Sequence, residues 1–230
     1  MKDTADKTTA PVIAKPRREG HPLRLVELVL CYFAVPALPL FGVPPRVFVP
    51  LFLVCIGWLT VVAVHSRMRR RRLRLPAQQG DNRGPSTRAE LITFVLFAVV
   101  STVILWLVRP ELLFRAPREQ PLRWVQFWFI YSAFSVPPQE ALFRVVFFDR
   151  YPVLWNKSRN LGLLLNALSF SIAHAILHNW LVYALTFVGA YVFSAHWLRR
   201  RNFWTLWLLH GAYGLWLFTV GLGPVFGFPL

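Results

Sequence analysis

The sequence is poor in acidic residues: 10 Asp and Glu stand against 26 Lys and Arg, which gives a formal net charge of +16. Hydrophobic residues nevertheless make up 56% of the 230 residues, and charged residues only 16%. A soluble domain is not both so apolar and so basic, and a disordered chain lacks this apolar content. We therefore expect the charge in loops outside a membrane, which excludes a nucleic-acid binder with a charged folded surface.

Cysteine is also scarce. Cys31 and Cys55 both lie inside apolar runs. This placement argues against a disulfide framework and against a metal site built from cysteines. Residues 1–18 are polar and lack the apolar core of a signal peptide, so we expect the first apolar segment to be retained.

Apolar runs separated by charged breaks predict an all-α, polytopic bundle of seven transmembrane helices. Each helix needs about 20 mostly apolar residues, and the runs lack the alternation of barrel strands. The segments are residues 23–41, 47–64, 91–108, 124–148, 161–177, 180–198 and 203–221. We expect a proline-broken fourth helix at Pro137 and Pro138; dividing the segment there gives the alternative count of eight.

The charge distribution predicts the topology. Twenty basic residues fall on the side of the N-terminus and five on the alternate side, as the positive-inside rule requires. The chain is thus predicted to be a multi-pass cell (inner) membrane protein with a cytoplasmic N-terminus and an outside C-terminus. We divide it into a polar tail (1–22), three helices with a basic linker at 65–89 (23–123), and a helix bundle (124–230). The arginine run at 67–74 favours contact with anionic lipid headgroups over nucleic acid.

One acidic residue, Glu140, lies in the interior of a predicted helix. Glu27 is expected to reach the interface near Arg24. Ionisable groups deep in a membrane are costly and therefore suggest function. With a rise of 1.5 Å per residue, Glu140, His174 and His210 lie about 15, 20 and 12 Å from their cytoplasmic helix ends. This shared layer predicts one buried site.

The residues around Glu140 refine this hypothesis. A residue before proline avoids the helical region, whereas proline suits a first helical turn. We therefore expect Gln139 and Glu140 at the start of a half-helix whose dipole favours an anion. Arg144 lies one turn further on the same face. The pair is interpreted either as a water-activating carboxylate with its partner or as a Glu–Arg pair that only fixes helix packing.

Other hydrolytic chemistries are less compatible with the sequence. His174 and His178 have a spacing that can hold a metal, but Ala175 occupies the glutamate position of a zinc-protease motif. His178 is interpreted as interfacial. No interior aspartates exist for an aspartyl mechanism. Ser169 and Ser171 lie near His174 without a Gly-x-Ser-x-Gly turn, and helix serines more often bond to backbone.

Three motifs resemble the CAAX-processing, Abi or CPBP family of intramembrane endopeptidases. The family pattern is Glu-Glu-x-x-x-Arg, Phe-x-x-x-His and His-x-x-x-Asn on successive helices. This chain has Gln139-Glu140 with Arg144, Phe170 with His174, and His210 with Gly214, and the similarity covers about residues 124–221. It implies an enzyme that hydrolyses a peptide bond in a membrane-associated protein or peptide, without an obligatory cofactor.

The resemblance also implies roles. Glu140 and His174 would activate water, and His210 would help to form the oxyanion site. Arg144 would order Glu140 or bind a substrate carboxylate, with Gln139 and Asn179 in support.

Two departures from the pattern bear on activity. Gln139 replaces the first glutamate, and Gly214 replaces the asparagine, whose loss as a donor can cost about 10²–10³ in rate. Asn166, Asn179 and Tyr213 are candidates to replace that donor. The departures leave open a noncatalytic relative, such as a pseudoprotease, immunity or scaffold protein.

Two further alternatives remain. A zinc enzyme would use Glu140, His174 and His210 as ligands, although Arg144 disfavours a nearby cation. A transporter would use Glu140 as a proton site, although the sequence shows one predicted break and no repeated halves. The residues do not distinguish a prenylated substrate from a signal-type substrate.

Overall fold

A computed structural model describes residues 22–72, 87–156 and 158–228, without the side chains of residues 69–72. The predicted polar tail and most of the predicted basic linker lie outside these ranges. Within them the chain is helical and contains no strand, which confirms the predicted all-α class. The α-helices are α1 (Pro22–Val29), α2 (Val35–Ala37), α3 (Pro45–Arg72), α4 (Thr87–Val108), α5 (Arg115–Glu119), α6 (Pro121–Ile130), α7 (Val136–Glu140), α8 (Phe147–Arg150), α9 (Pro152–Asn156), α10 (Arg159–Ile172), α11 (Trp180–Arg200) and α12 (Phe203–Val220).

Several of these helices are long and apolar enough to cross a membrane. Among the described residues, four stretches qualify: Pro22–Phe41, Pro45–Met68, Thr87–Val108 and Trp180–Arg200. Large apolar side chains point outward from them, as Leu107 does at 69% exposure. Apolar surface of this extent suits contact with lipid. The other predicted segments form α6 to α8, α10 and α12, and the count of seven spans stays a prediction.

The fourth predicted segment is not broken at its prolines, so the expected half-helix is wrong. Val136, directly before Pro137, keeps right-handed helical angles (φ −65°, ψ −47°). Proline removes a backbone hydrogen bond and crowds the preceding turn. The helix accommodates this by widening into π-helical stretches at Tyr131–Ser135 and Ala141–Val146, on either side of α7. Glu140 therefore ends α7 within a continuous helical path instead of beginning a new helix.

Polar contacts join the helix ends that the charge pattern predicted to share one side. They connect α1 with the end of α8, the end of α8 with the residue after α11, and the start of α4 with the last turns of α11. The pairs are Glu27 with Arg150, Asp149 with Arg201, and Glu90 with His196. This arrangement agrees with the predicted relative alternation, and the absolute orientation stays a prediction.

Glu27 contacts polar side chains from other helices. Its buried carboxylate accepts hydrogen bonds from Arg150, from the Tyr151 hydroxyl at 2.5 Å and from the Trp58 indole at 2.9 Å. The residue thus links α1, α3 and α8. Cys31 and Cys55 are free thiols.

We expect Glu27→Ala to lower the free energy of unfolding by about 1.5–3 kcal/mol, because it leaves partly buried donors without a charged acceptor. The measurement is unfolding of the purified protein in detergent. Glu119→Ala is the control, because its pair with Arg115 is about half exposed, and such pairs contribute little. Equal stability of the two variants would contradict this role for Glu27.

Candidate active site

Glu140 and Arg144 form a fully buried pair. They lie one turn apart, with Arg144 Nε 3.4 Å from Glu140 Oε2, and both side chains are 0% exposed. Among the described residues, Glu140 Oε2 and the three guanidinium nitrogens have no hydrogen-bond partner. The structure thus brings together the carboxylate and the arginine that the sequence selected. Polar atoms of both side chains can still hydrogen-bond to a water molecule or a ligand.

His210 from α12 completes a hydrogen bond to this pair. Its Nδ1 lies 2.6 Å from Glu140 Oε1. With an ionised carboxylate as acceptor, Nδ1 carries the hydrogen, so Nε2 is the nitrogen that remains for another partner. Two residues separated by 70 positions in sequence are therefore in direct contact.

Phe170 connects the two histidines and the arginine. Its ring centroid lies 4.8 Å from that of His174 and 5.9 Å from that of His210. The Arg144 guanidinium carbon lies over the same ring at 4.5 Å, a cation–π geometry. The Phe-x-x-x-His motif is thus a packing unit as well as a source of histidine.

His174 lies just beyond the end of α10. Its Nδ1 lies 2.8 Å from the Phe170 carbonyl oxygen. Because a carbonyl only accepts, Nδ1 is protonated and Nε2 of the neutral ring has the free lone pair. His178 is exposed and has a left-handed backbone conformation (φ 46°) in the loop before α11. The two histidines therefore do not share a helical face, and the potential metal pair is not formed.

Two buried side chains support the π-helical stretch that contains Arg144. The Tyr32 hydroxyl donates to the Leu142 carbonyl at 2.8 Å, and Asn166 Nδ2 donates to the Phe143 carbonyl at 2.5 Å. Ser194 donates to Asn166 Oδ1 at 2.6 Å. Backbone carbonyls in lipid need such partners, so these contacts fix the irregular backbone beside the pair.

The two predicted supporting residues, Gln139 and Asn179, lie in different places. Gln139 lines the cavity described below and donates to Ser135 Oγ at 2.8 Å. Asn179 caps α11 through the amides of Leu181 and Val182, and it donates to the Val225 carbonyl at 2.6 Å. Its amide is therefore occupied in helix capping, and the structure does not bring it to Glu140.

The geometry does not fit a metal centre. Across the ranges that the structure describes, no three His, Cys, Asp or Glu side chains come together as a metal-binding group. The Arg144 cation also lies beside the carboxylate that would be a ligand. We therefore assign no step to a metal.

A cavity of about 640 Å³ lies next to the site. His174, His210, Gln139 and Phe170 line it, and its other walls are largely apolar. Glu140 and Arg144 do not line the cavity themselves. Phe170 and His210 line it, and they contact Arg144 and Glu140, respectively. Ile130, Val188 and Val192 line the cavity and are more than half exposed, so it reaches the outer apolar surface of the bundle.

The fold and the site define an all-α membrane protein with a buried Glu–Arg–His centre beside an apolar cavity. A family model described as "Type II CAAX prenyl endopeptidase Rce1-like" matches residues 121–216. The matched region runs from α6 into α12 and contains the three motifs, so it is similar to the Rce1-like family and confirms the resemblance recognised in the motifs. The match supports an intramembrane protease of the CAAX type. No curated protein and no solved structure matches the chain.

Sequence reasoning missed Tyr131, a polar residue of the cavity wall. Tyr131, on the π-helical stretch before α7, lines the cavity and lies edge-on to His210, with ring centroids 6.3 Å apart. It belongs to none of the three motifs. The sequence feature that could have identified it is its spacing from Glu140: nine positions, or about 2.5 turns of an α-helix, separate the two residues along the same predicted segment.

Proposed function

We propose that this protein is an intramembrane endopeptidase that hydrolyses a peptide bond in a membrane-associated protein or peptide. One observation carries the proposal: a fully buried carboxylate, Glu140, is hydrogen-bonded to His210 beside an apolar cavity that His174 also lines. A buried ionisable group in a membrane protein is costly to retain without function. The family match independently supports protease activity.

The proposed reaction begins with a water molecule between the two histidines. Glu140 Oε2, which has no hydrogen bond among the described residues, accepts the proton, and His174 Nε2 helps to orient the water. The water oxygen then bonds to the peptide carbonyl carbon, and the carbonyl oxygen becomes an oxyanion. In this step His210 is the imidazolium, so that Nδ1–H donates to Glu140 and Nε2–H donates to the oxyanion. The proton held by Glu140 is delivered to the leaving amine.

Arg144 is proposed to order Glu140 and keep it ionised. Its guanidinium lies 3.4 Å from the carboxylate and rests on the Phe170 ring. Attraction between the charges is strong where water is excluded. A carboxylate that stays ionised can act as a base, whereas a protonated one cannot.

The cavity supports a lipid-like substrate. Its apolar walls extend to exposed residues of the outer surface, where a substrate anchored in the bilayer can enter sideways. The name of the matching family makes a prenylated CaaX peptide the first substrate to test. An unprenylated signal-type peptide is the second, because apolar side chains fit the same walls.

The test is cleavage of both reporter peptides by the purified protein in lipid vesicles. We expect His174→Ala to lower kcat by about 10²-fold, within the range for one acid–base group. His178→Asn is the matched control: it removes an exposed imidazole outside the cavity and keeps a residue that tolerates left-handed backbone. We expect this control to cleave at the wild-type rate.

The outcomes separate the alternatives. Equal cleavage by wild type and His174→Ala contradicts the proposed role of His174. No cleavage of either peptide by the wild type favours a noncatalytic relative. Loss of activity on treatment with a chelator, restored by zinc, would favour the metal-dependent version.

A further inference from the structure

The Tyr131 side chain packs against α12 at Gly214, where the helix has no side chain. A Cβ atom built on Gly214 would lie 2.0 Å from the Tyr131 hydroxyl oxygen and 2.6 Å from Cζ. No side chain fits at such distances unless the phenol moves. The absence of a side chain at position 214 is therefore what lets the tip of Tyr131 reach α12, one turn beyond His210.

Neighbouring aromatic rings hold the phenol in this position. Tyr131 stacks on Phe127 with centroids 5.5 Å apart, packs against Phe218 at 5.8 Å and meets the edge of His210 at 6.3 Å. Aromatic pairs in this distance range attract one another beyond simple burial. The ring is thus fixed from several sides, which limits movement of its hydroxyl.

The hydroxyl itself remains available. Within the described ranges, it makes no hydrogen bond to the protein, and its residue lines the cavity shared by His174 and His210. A Tyr hydroxyl in an apolar surrounding normally has a hydrogen-bond partner. A donor without one at this position suggests that it hydrogen-bonds to a bound ligand.

Other polar side chains near the site are less suited to donate a hydrogen bond to a ligand in the cavity. The amide of Asn166 is used by Phe143 and Ser194, and that of Asn179 by its helix cap. Tyr213 lines the cavity, but its ring packs against Phe94 and Phe97 of α4 instead of against His210. The amides of Asn166 and Asn179 are therefore engaged elsewhere, and the Tyr213 ring packs on α4.

We propose that Tyr131 is a catalytic residue whose hydroxyl donates a hydrogen bond to the oxyanion formed during peptide-bond hydrolysis; the inference rests on the function proposed above. As the water oxygen bonds to the carbonyl carbon, the C=O π electrons move to the carbonyl oxygen. Tyr131 and His210 then donate to that oxygen from two neighbouring elements. Tyr131 keeps its proton, which stays on the phenol when the tetrahedral intermediate collapses and the amine leaves.

The closing experiment compares the full-length wild type with Tyr131→Phe on whichever reporter peptide the wild type cleaves. We expect kcat to fall about 10²-fold, as for loss of one oxyanion donor, with KM changed less than about twofold. The thermal midpoint should stay unchanged, because the ring keeps its packing and no protein hydrogen bond is lost. Tyr191→Phe is the control: it removes a hydroxyl outside the cavity and should retain wild-type kcat.

A second variant pair tests the donor directly. Tyr131→Ala removes the phenol, and adding Gly214→Asn to it places an amide donor in the vacated space. We expect the double variant to recover at least tenfold in kcat over Tyr131→Ala alone.

The results distinguish the two proposals. If Tyr131→Phe keeps wild-type kcat while Glu140→Gln is inactive, the Tyr131 role is overturned and the proposed function stands. If the wild type cleaves neither peptide, both are overturned. An equal fall in kcat and in the thermal midpoint would assign Tyr131 a structural role and also overturn the proposal.

Discussion

Replacing Glu140 with glutamine is expected to reduce kcat by about 10²–10⁴-fold, the range for removal of a general base. Glutamine has nearly the same shape, and its amide oxygen can still accept the His210 Nδ1 hydrogen bond. It cannot accept a proton from water. KM should change much less than kcat, because substrate contacts are made by the cavity walls.

The kinetics of Glu140→Gln are to be measured well below its unfolding midpoint, since the variant also removes the countercharge of Arg144. Glu119→Gln is the control, because it neutralises a half-exposed carboxylate on α5, outside the cavity. A Glu140→Gln enzyme that cleaves at the wild-type rate would exclude Glu140 as the base.

Replacing Arg144 with methionine is expected to lower the free energy of unfolding by about 3–5 kcal/mol, because it leaves a charge buried without its partner. Methionine fills much of the same space, so the lost cation is the main change. Adding Glu140→Gln should restore most of the stability, since it removes the uncompensated charge. The measurement is the unfolding midpoint of the three variants in detergent.

The chain contains a matched control for this experiment. Arg115 and Glu119 have the same four-residue spacing, with Arg115 Nε 2.7 Å from Glu119 Oε2, but the two side chains are 49% and 52% exposed. Arg115→Met should leave the midpoint unchanged. If Arg144→Met behaves in the same way, the Glu140–Arg144 pair is not an electrostatic element of the core.

The site was found from sequence because lipid makes buried charge rare. With so few acidic residues in an apolar chain, Glu140 could be singled out by its position alone, and the spacing to Arg144 placed both on one helix face. The depth argument then selected His174 and His210. His210 contacts Glu140 directly in the structure, whereas His174 joins the site through Phe170.

The backbone around Glu140 could not be predicted in the same way. Local rules for proline favoured an interrupted helix, because they consider only the turn before the ring. The alternative, a wider π turn, depends on distant partners for the displaced carbonyls. Tyr32 and Asn166, from other helices, supply hydrogen bonds within the second π stretch, and no local pattern encodes them.

The sequence by itself determined that this is an all-α membrane protein and which carboxylate, arginine and histidines are candidates for its chemistry, because hydrophobic length and the cost of buried charge are properties of single segments. Only the tertiary structure decided which of these groups touch, that Asn179 caps a helix, and that Tyr131 reaches α12 through the gap at Gly214. Those facts depend on packing between helices far apart in sequence, where a single missing Cβ atom determines which side chain reaches the cavity.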